Sequence, residues 1–175
     1  MYGLCVWHMD HKRMLYVTPL IMALEFENYA MKGNEFINLL AKNLGNGDDR
    51  DRAARVLRAV FRTMRNHLSL EESSDLLAQL PMALKSVYVD GWKMTQPHRR
   101  VRTMKEFSGE VLKAHGQSAW RDFSNQEEVE ASVRAVIETM ASYVSANEME
   151  QAFATLPKNM RDLFMTWVPS QKGPN

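Results

Sequence analysis

Arg58-Ala59-Val60, Thr63-Met64, Ser69, Glu72, Ala78 and Leu80-Pro81 return 76 positions later, with no gap, as Arg134-Ala135-Val136, Thr139-Met140, Ser145, Glu148, Ala154 and Leu156-Pro157. Ten identities over the 40 positions from Asp51 to Asp90 exceed what a charged helical background gives by chance, so the chain reads as an internal duplication.

The repeated stretch carries its own helix grammar. Ala53, Val56, Leu57, Val60, Phe61, Met64 and Leu68 fall at spacings of three and four, as do Val129, Val133, Val136, Ile137, Met140 and Val144 in the second copy. Each set predicts a long amphipathic helix with one stripe to bury. The arginines between the first set, Arg52, Arg55, Arg62 and Arg65, read as a solvated face whose stems cover apolar surface. Ser69-Leu-Glu-Glu72 and Ser145-Ala-Asn-Glu148 match the capping box, in which serine oxygen and glutamate carboxylate satisfy backbone donors reciprocally at a helix start. Pro81 and Pro157 then interrupt, because proline lacks the donor a helix interior needs but suits a first turn. A further short helix is expected after each.

Outward from this stretch, Glu35-Phe36 opens a helix carrying Phe36, Leu39, Leu40 and Leu44 and ending at Gly45. Glu106-Phe107 and Val111 repeat that phrase and end at Gly116, 71 rather than 76 positions on. Between the halves, Gly91, Pro97 and the absence of periodicity mark Asp90–Arg102 as a loop. Met1 to Ile21 show no helical stripe and no cap, and are expected to be an upstream extension, with Met22 as the natural beginning. The rival reading, a secretory signal, is disfavoured by Pro19 and by the lack of a small-x-small cleavage site. The expected organisation is an extension over 1–21, a duplicated helical domain over 22–167 and a tail over 168–175. Within the domain, repeat one covers about 32–90, the linker 91–102 and repeat two about 103–167. The fold class is all-α, a helical bundle built from two tandem repeats of a three-to-four-helix unit, arranged about a pseudo-twofold or end to end.

Composition narrows the function classes. With 22 Lys+Arg against 21 Asp+Glu, no global field favours nucleic acid or an anionic membrane. The lone Cys5 cannot form an intramolecular disulfide or a thiolate metal site, which fits a reducing compartment, and a cytoplasmic protein is expected. No run approaches the roughly 18 apolar residues of a membrane span, so no membrane role is expected.

From about Met22 to Trp167 the chain resembles the bacterial family called domain of unknown function 2267. The phrases that carry the resemblance are Lys32-Gly-Asn-Glu-Phe36, Arg55-Val-Leu-Arg-Ala-Val60, Ala78-Gln-Leu-Pro81, Tyr88-Val-Asp-Gly-Trp92 and Glu106-Phe107. The resemblance implies a helical, duplicated fold and transfers no catalytic residue. The second repeat departs from the pattern, with Thr155 in place of Gln79 and no glycine before Trp167, so any role of Gln79 and Gly91-Trp92 belongs to the first half and the linker.

Reactive constellations are absent from the sequence. His8, His11, His67, His98 and His115 form no metal-binding helix signature, and a structural or solvated role is the simpler reading of each. No serine sits in a nucleophile elbow, and Gly45-Asn-Gly47 is a helix stop and no phosphate cradle. Glu71, Glu72 and Asp75 are read as acids favourable at a helix start. No catalytic residue, metal ligand or cofactor is therefore assigned. Two features remain. Lys93, Arg99, Arg100, Arg102 and Lys105 form an acid-free basic patch that is the candidate contact for nucleic acid. Tyr88 and Trp92 are either a loop anchor or a stacking platform, and the anchor is the simpler reading. The leading functional expectation is a non-enzymatic interaction module with a protein partner or with itself. Nucleic-acid binding through the linker, and a small-molecule site between the repeats, are the alternatives.

Overall fold

The structure is a computed structural model and describes residues 26–45, 47–94 and 101–169. Among these residues the secondary structure is helical throughout, in agreement with the all-α expectation. In chain order the helices are α1 (Phe26–Asn43), α2 (Arg50–His67), α3 (Leu70–Gln79), α4 (Met82–Val89), α5 (Met104–His115), α6 (Ala119–Asp122), α7 (Gln126–Met140), α8 (Ala146–Ala152) and α9 (Lys158–Thr166). A single 3-10 turn, Gly116–Ser118, joins α5 to α6. The expectations for residues 1–21, for Cys5, for His98, Arg99 and Arg100, and for the last residues of the tail lie outside the described residues.

Helix α2 is central because its burial wraps around most of its circumference. Val56, Val60 and Met64 bury one side, while Ala59, Thr63 and His67 bury another. Asp49 caps it, accepting from the Arg52 N–H at 2.8 Å. The Asn125 side chain does the same for α7, accepting from the Glu128 N–H at 2.9 Å. Around this pair, α5 packs against α2 and α7, α1 packs against α2, α4 and α7, and α3 packs against α8. All of them contribute to one hydrophobic cluster, in which Phe36, Phe61, Phe107, Phe153 and Phe164 are fully buried. Phe107 and Phe164 meet edge to face at 5.4 Å, and Phe36 meets Tyr143 at 5.3 Å. Each such buried side chain contributes about 1.5–3 kcal/mol, so truncating Phe107 costs about 3–5 kcal/mol once the cavity is included.

Local grammar sets the helix ends. Ser69 with Glu72 and Ser145 with Glu148 both form complete capping boxes. Pro81 and Pro157 precede α4 and α9 at φ −52° and −51°, values the ring fixes in advance. Gly45 and Gly116 follow α1 and α5 at φ +79° and +73°, where a side chain would be strained. The chain is already helical at Phe26, well before the Glu35 start that the sequence predicts. Its early turns expose Phe26, Met31 and Lys32, so no buried stripe marks them. Gly33 sits inside this helix because α4 crosses it closely, and a Cβ there would lie 2.7 Å from that of Ala83.

Candidate functional site

After α5, the positive φ of Gly116 turns the chain back across the start of α2, through the 3-10 turn into α6. This brings Asp122 inward until its side chain is only 3% exposed. Arg55 grips both carboxylate oxygens, with Nε donating to Oδ2 at 2.6 Å and Nη2 to Oδ1 at 2.8 Å. Such a fork is stronger and more directional than a single bond. Arg52 holds the same residue by its backbone, donating from Nε and Nη2 to the Asp122 carbonyl at 3.1 and 3.0 Å. Its Nη2 also donates to Glu128 Oε1 on α7 at 2.8 Å, and Glu128 Oε2 accepts from the Ser124 N–H at 2.8 Å. The cluster therefore ties α2, α6 and the start of α7 together.

His115, the last residue of α5, completes it. Its side chain is 1% exposed, its ring lies edge-on to Phe123 at 4.8 Å, and its Nε2 is 3.1 Å from Asp122 Oδ2. This contact is not a hydrogen bond, and neither ring nitrogen has a hydrogen-bond partner among the described residues. Burial pushes the His115 imidazole below its ordinary range; its own backbone and Asp122 oppose this, and Arg55 and Arg121 reinforce it. Asp122 is held below the usual carboxylate range, chiefly by the Arg55 hydrogen bonds, against the effect of burial. Hydrogen bonding to Asp122 raises Arg55 in turn. An ionised, doubly gripped carboxylate is a poor proton acceptor, and its bonds hold the segment in place. It fixes α6, and α6 carries Trp120, which is 83% exposed although large aromatics are seldom so uncovered.

The sequence pattern puts Arg52, Arg55, Arg62 and Arg65 on a solvated face; this holds for Arg62, its side chain 42% exposed, and the structure corrects it for the other three. Arg52 and Arg65 are buried, Arg55 is a quarter exposed, and Arg62 reaches toward Asp90 at 3.6 Å. The sequence carries one weak signal for the cluster: Arg52 and Glu128 stand 76 positions apart, the offset of the repeated phrases, with opposite charge, but Arg62 and Glu138 do the same and pair elsewhere.

The residues singled out in the sequence are placed as follows. Lys93, Arg102 and Lys105 are exposed, while Arg99 and Arg100 fall outside the described residues. The Arg102 N–H donates to Glu106 Oε2 at 2.7 Å, and its carbonyl accepts from Asn159 Nδ2 at 2.8 Å. Tyr88 is fully buried, meets Phe61 at 5.3 Å and Trp92 at 5.8 Å, both edge to face, and donates its hydroxyl to Ser73 Oγ at 3.1 Å. Burial pushes that hydroxyl up to about 12. Arg65 Nη1 donates to the carbonyls of Tyr88 and Asp90, so the start of the linker is tied to α2. Glu72 is buried, and beyond its capping role it accepts from the Thr155 N–H and hydroxyl.

Among the described residues no group of three His, Cys, Asp or Glu side chains is placed to hold a metal ion, and no helix is long and apolar enough to cross a membrane. A surface groove of about 370 Å³, lined by Asn38, Lys42, Gly47, Asp48 and Arg50, lies on the first half of the chain alone. The family model for DUF2267, described as an uncharacterized conserved protein, matches residues 33–163. The chain belongs to the DUF2267 family. No curated protein matches it. The DUF2267 match contains the whole Arg52–Arg55–His115–Asp122–Glu128 cluster and Trp120, whereas the exposed first turns of α1 precede it.

Proposed function

We propose that this DUF2267 protein is a non-enzymatic interaction module that presents Trp120 to a protein partner. The observation that carries the reading is the exposure of Trp120, at 83%, on a segment anchored by buried charge. Covering one tryptophan removes about 150–250 Å² from water, worth roughly 4–6 kcal/mol before association costs. Much of that survives only when the residue is already fixed in place, and the Arg52 and Arg55 bonds to Asp122 supply the fixing. Tryptophan is also the residue type most enriched among side chains that dominate protein interfaces.

The scaffold in this proposal is a pair of tandem repeats, about 32–90 and 103–167, related by a pseudo-twofold. Support comes from reciprocal packing. Helix α1 crosses to α7 and α5 crosses to α2, while α2 meets α7 and α3 meets α8. An end-to-end arrangement of halves has no reason to make those four contacts together. Tyr88 and Trp92 act as the anchor of the linker in this scaffold, a role supported by the burial of Tyr88 and the edge-to-face contact of the two rings.

Light scattering coupled to size exclusion on the full chain, with and without cellular extract, tests the proposal. Wild-type protein is expected to run as a stable dimer or to shift to larger mass, and Trp120→Ala to lose that behaviour. A wild-type monomer that ignores the extract, or a Trp120→Ala variant that behaves as wild type, refutes it.

A further inference from the structure

We infer that His115 and Asp122 form a proton-operated latch holding the Gly116–Asn125 segment, and with it Trp120, against α2. The latch stands on geometry. Arg52 and Arg55 reach the segment through one residue, Asp122, by its carbonyl and its carboxylate. The imidazole of His115 is enclosed beside that carboxylate, with Phe123 against its ring.

The charged groups around the ring come from three elements. Helix α2 supplies Arg52 and Arg55, α6 supplies Arg121 and Asp122, and α7 supplies Glu128. Asp49 and Asp51 on the α2 side also act on Arg55. A proton on the ring adds a further cation beside Arg55 and Arg121, against the charge of Asp122, on a side chain that is itself 1% exposed. Asp122, 3.1 Å away, favours the new charge, but its own charge is already shared with Arg55, and burial of the ring outweighs it. The second ring N–H, at Nδ1, has the backbone of His115 itself nearby but no other acceptor among the described residues. Undocking the segment hydrates the imidazolium and relieves both conflicts, with Gly116 and the turn before α7 as the flexible ends.

The sign follows from burial. A histidine whose protonated form is disfavoured in the closed state stabilises that state fully above its ordinary range near 6.5, and this stabilisation is lost as pH falls below it. Asp122 is held ionised by Arg55, so it keeps its charge while His115 titrates. As regulation of the Trp120 surface, the latch rests on the interaction reading above. As a conformational device it is measurable without any partner.

Amide hydrogen exchange of residues 116–124 in the full chain, at about pH 7.5 and about pH 5.5 and corrected for intrinsic rates, tests it. In wild-type protein the open population is expected to rise by up to about tenfold across that interval, and by at least roughly threefold. His115→Phe keeps a ring against Phe123 and takes no proton, so its exchange is expected to change less than about twofold. An unchanged wild type, or a His115→Phe variant with the wild-type dependence, overturns the latch. Should His115→Phe not fold, the His115 ring resonances of wild-type protein decide. A midpoint below about 6.5 supports the latch, and one at or above it sinks the idea. Trp120→Ala is expected to abolish the mass shift and leave the pH-dependent exchange intact, which separates failure of the surface from failure of the latch.

Discussion

Asp122→Asn keeps the side-chain volume and leaves the backbone carbonyl for Arg52, but removes the charge that Arg55 grips. The two bonds from Arg55, at 2.6 and 2.8 Å, are charge-assisted, a class worth about 1.5–3 kcal/mol each when removed singly. They are not additive, because one guanidinium makes both. The asparagine oxygen can retain one bond, while its amide turns a donor toward the donors of Arg55. Breaking a fully buried pair costs about 3–5 kcal/mol. Arg55, at 25% exposed, can recover some hydration, which lowers that figure. The expected loss is therefore about 2–4 kcal/mol, or a melting temperature lower by roughly 5–15 °C for a chain of this size.

Urea unfolding followed by circular dichroism measures the effect, with the midpoint falling and the denaturant slope unchanged. A loss smaller than about 1 kcal/mol refutes the assignment of Asp122 as the anchor of α6. A double-mutant cycle with Arg55→Met, which keeps an apolar stem, isolates the pair, and a coupling of at least about 1.5 kcal/mol is expected. Additive single variants refute the pairing. The acid behaviour supplies an independent check. Asp122 titrates below its ordinary value near 3.8, so its stabilisation is present above that value and lost as pH falls through the depressed one. Wild type and Asp122→Asn are expected to converge in stability only in strong acid, well below the range in which His115 acts.

Three further expectations rest on other contacts. Glu72→Gln is expected to cost about 1–3 kcal/mol and clearly more than Glu148→Gln, because Glu72 alone reaches across to Thr155; equal losses in urea unfolding refute the cross-link. Gly33→Ala is expected to destabilise, since overpacking of about 1–3 kcal/mol against Ala83 outweighs a helix-propensity gain of about 1 kcal/mol. In an Ala83→Gly background the same change is expected to become stabilising, and no reversal of sign refutes the close crossing of α1 and α4. Arg65→Ala leaves the carbonyls of Tyr88 and Asp90 without their donor and is expected to cost about 2–3 kcal/mol. Fluorine NMR of labelled tryptophan is expected to show the Trp92 resonance moving, and an unmoved resonance refutes the tethering of the linker.

What the sequence discloses depends on whether the cause is local. Ser69 and Glu72 are three residues apart, and their reciprocal bonds need nothing from elsewhere in the fold, so both capping boxes are readable in advance. Gly45 and Gly116 are equally readable, since a helix must stop where only glycine fits the left-handed turn. The start of α1 fails this test because Phe26 and Met31 lie exposed, and a helix with no face to bury leaves no period to find. The cluster beneath Trp120 fails it more deeply. Arg52 finds the Asp122 carbonyl 70 positions away, and a polarity pattern assigns an arginine to solvent whatever waits for it across the fold. Asp122 and His115 look equally ordinary in sequence, because what distinguishes them is enclosure, which only the crossing of α5, α6 and α2 creates. The partial exception is the opposite charge of Arg52 and Glu128 at the repeat offset. If two halves arose from one, equivalent positions near a twofold face each other, and like charges there repel. A sign change is compatible with contact at such a pair but does not single one out, since Arg62 and Glu138 carry the same change at the same offset and pair instead with Asp90 and Arg134.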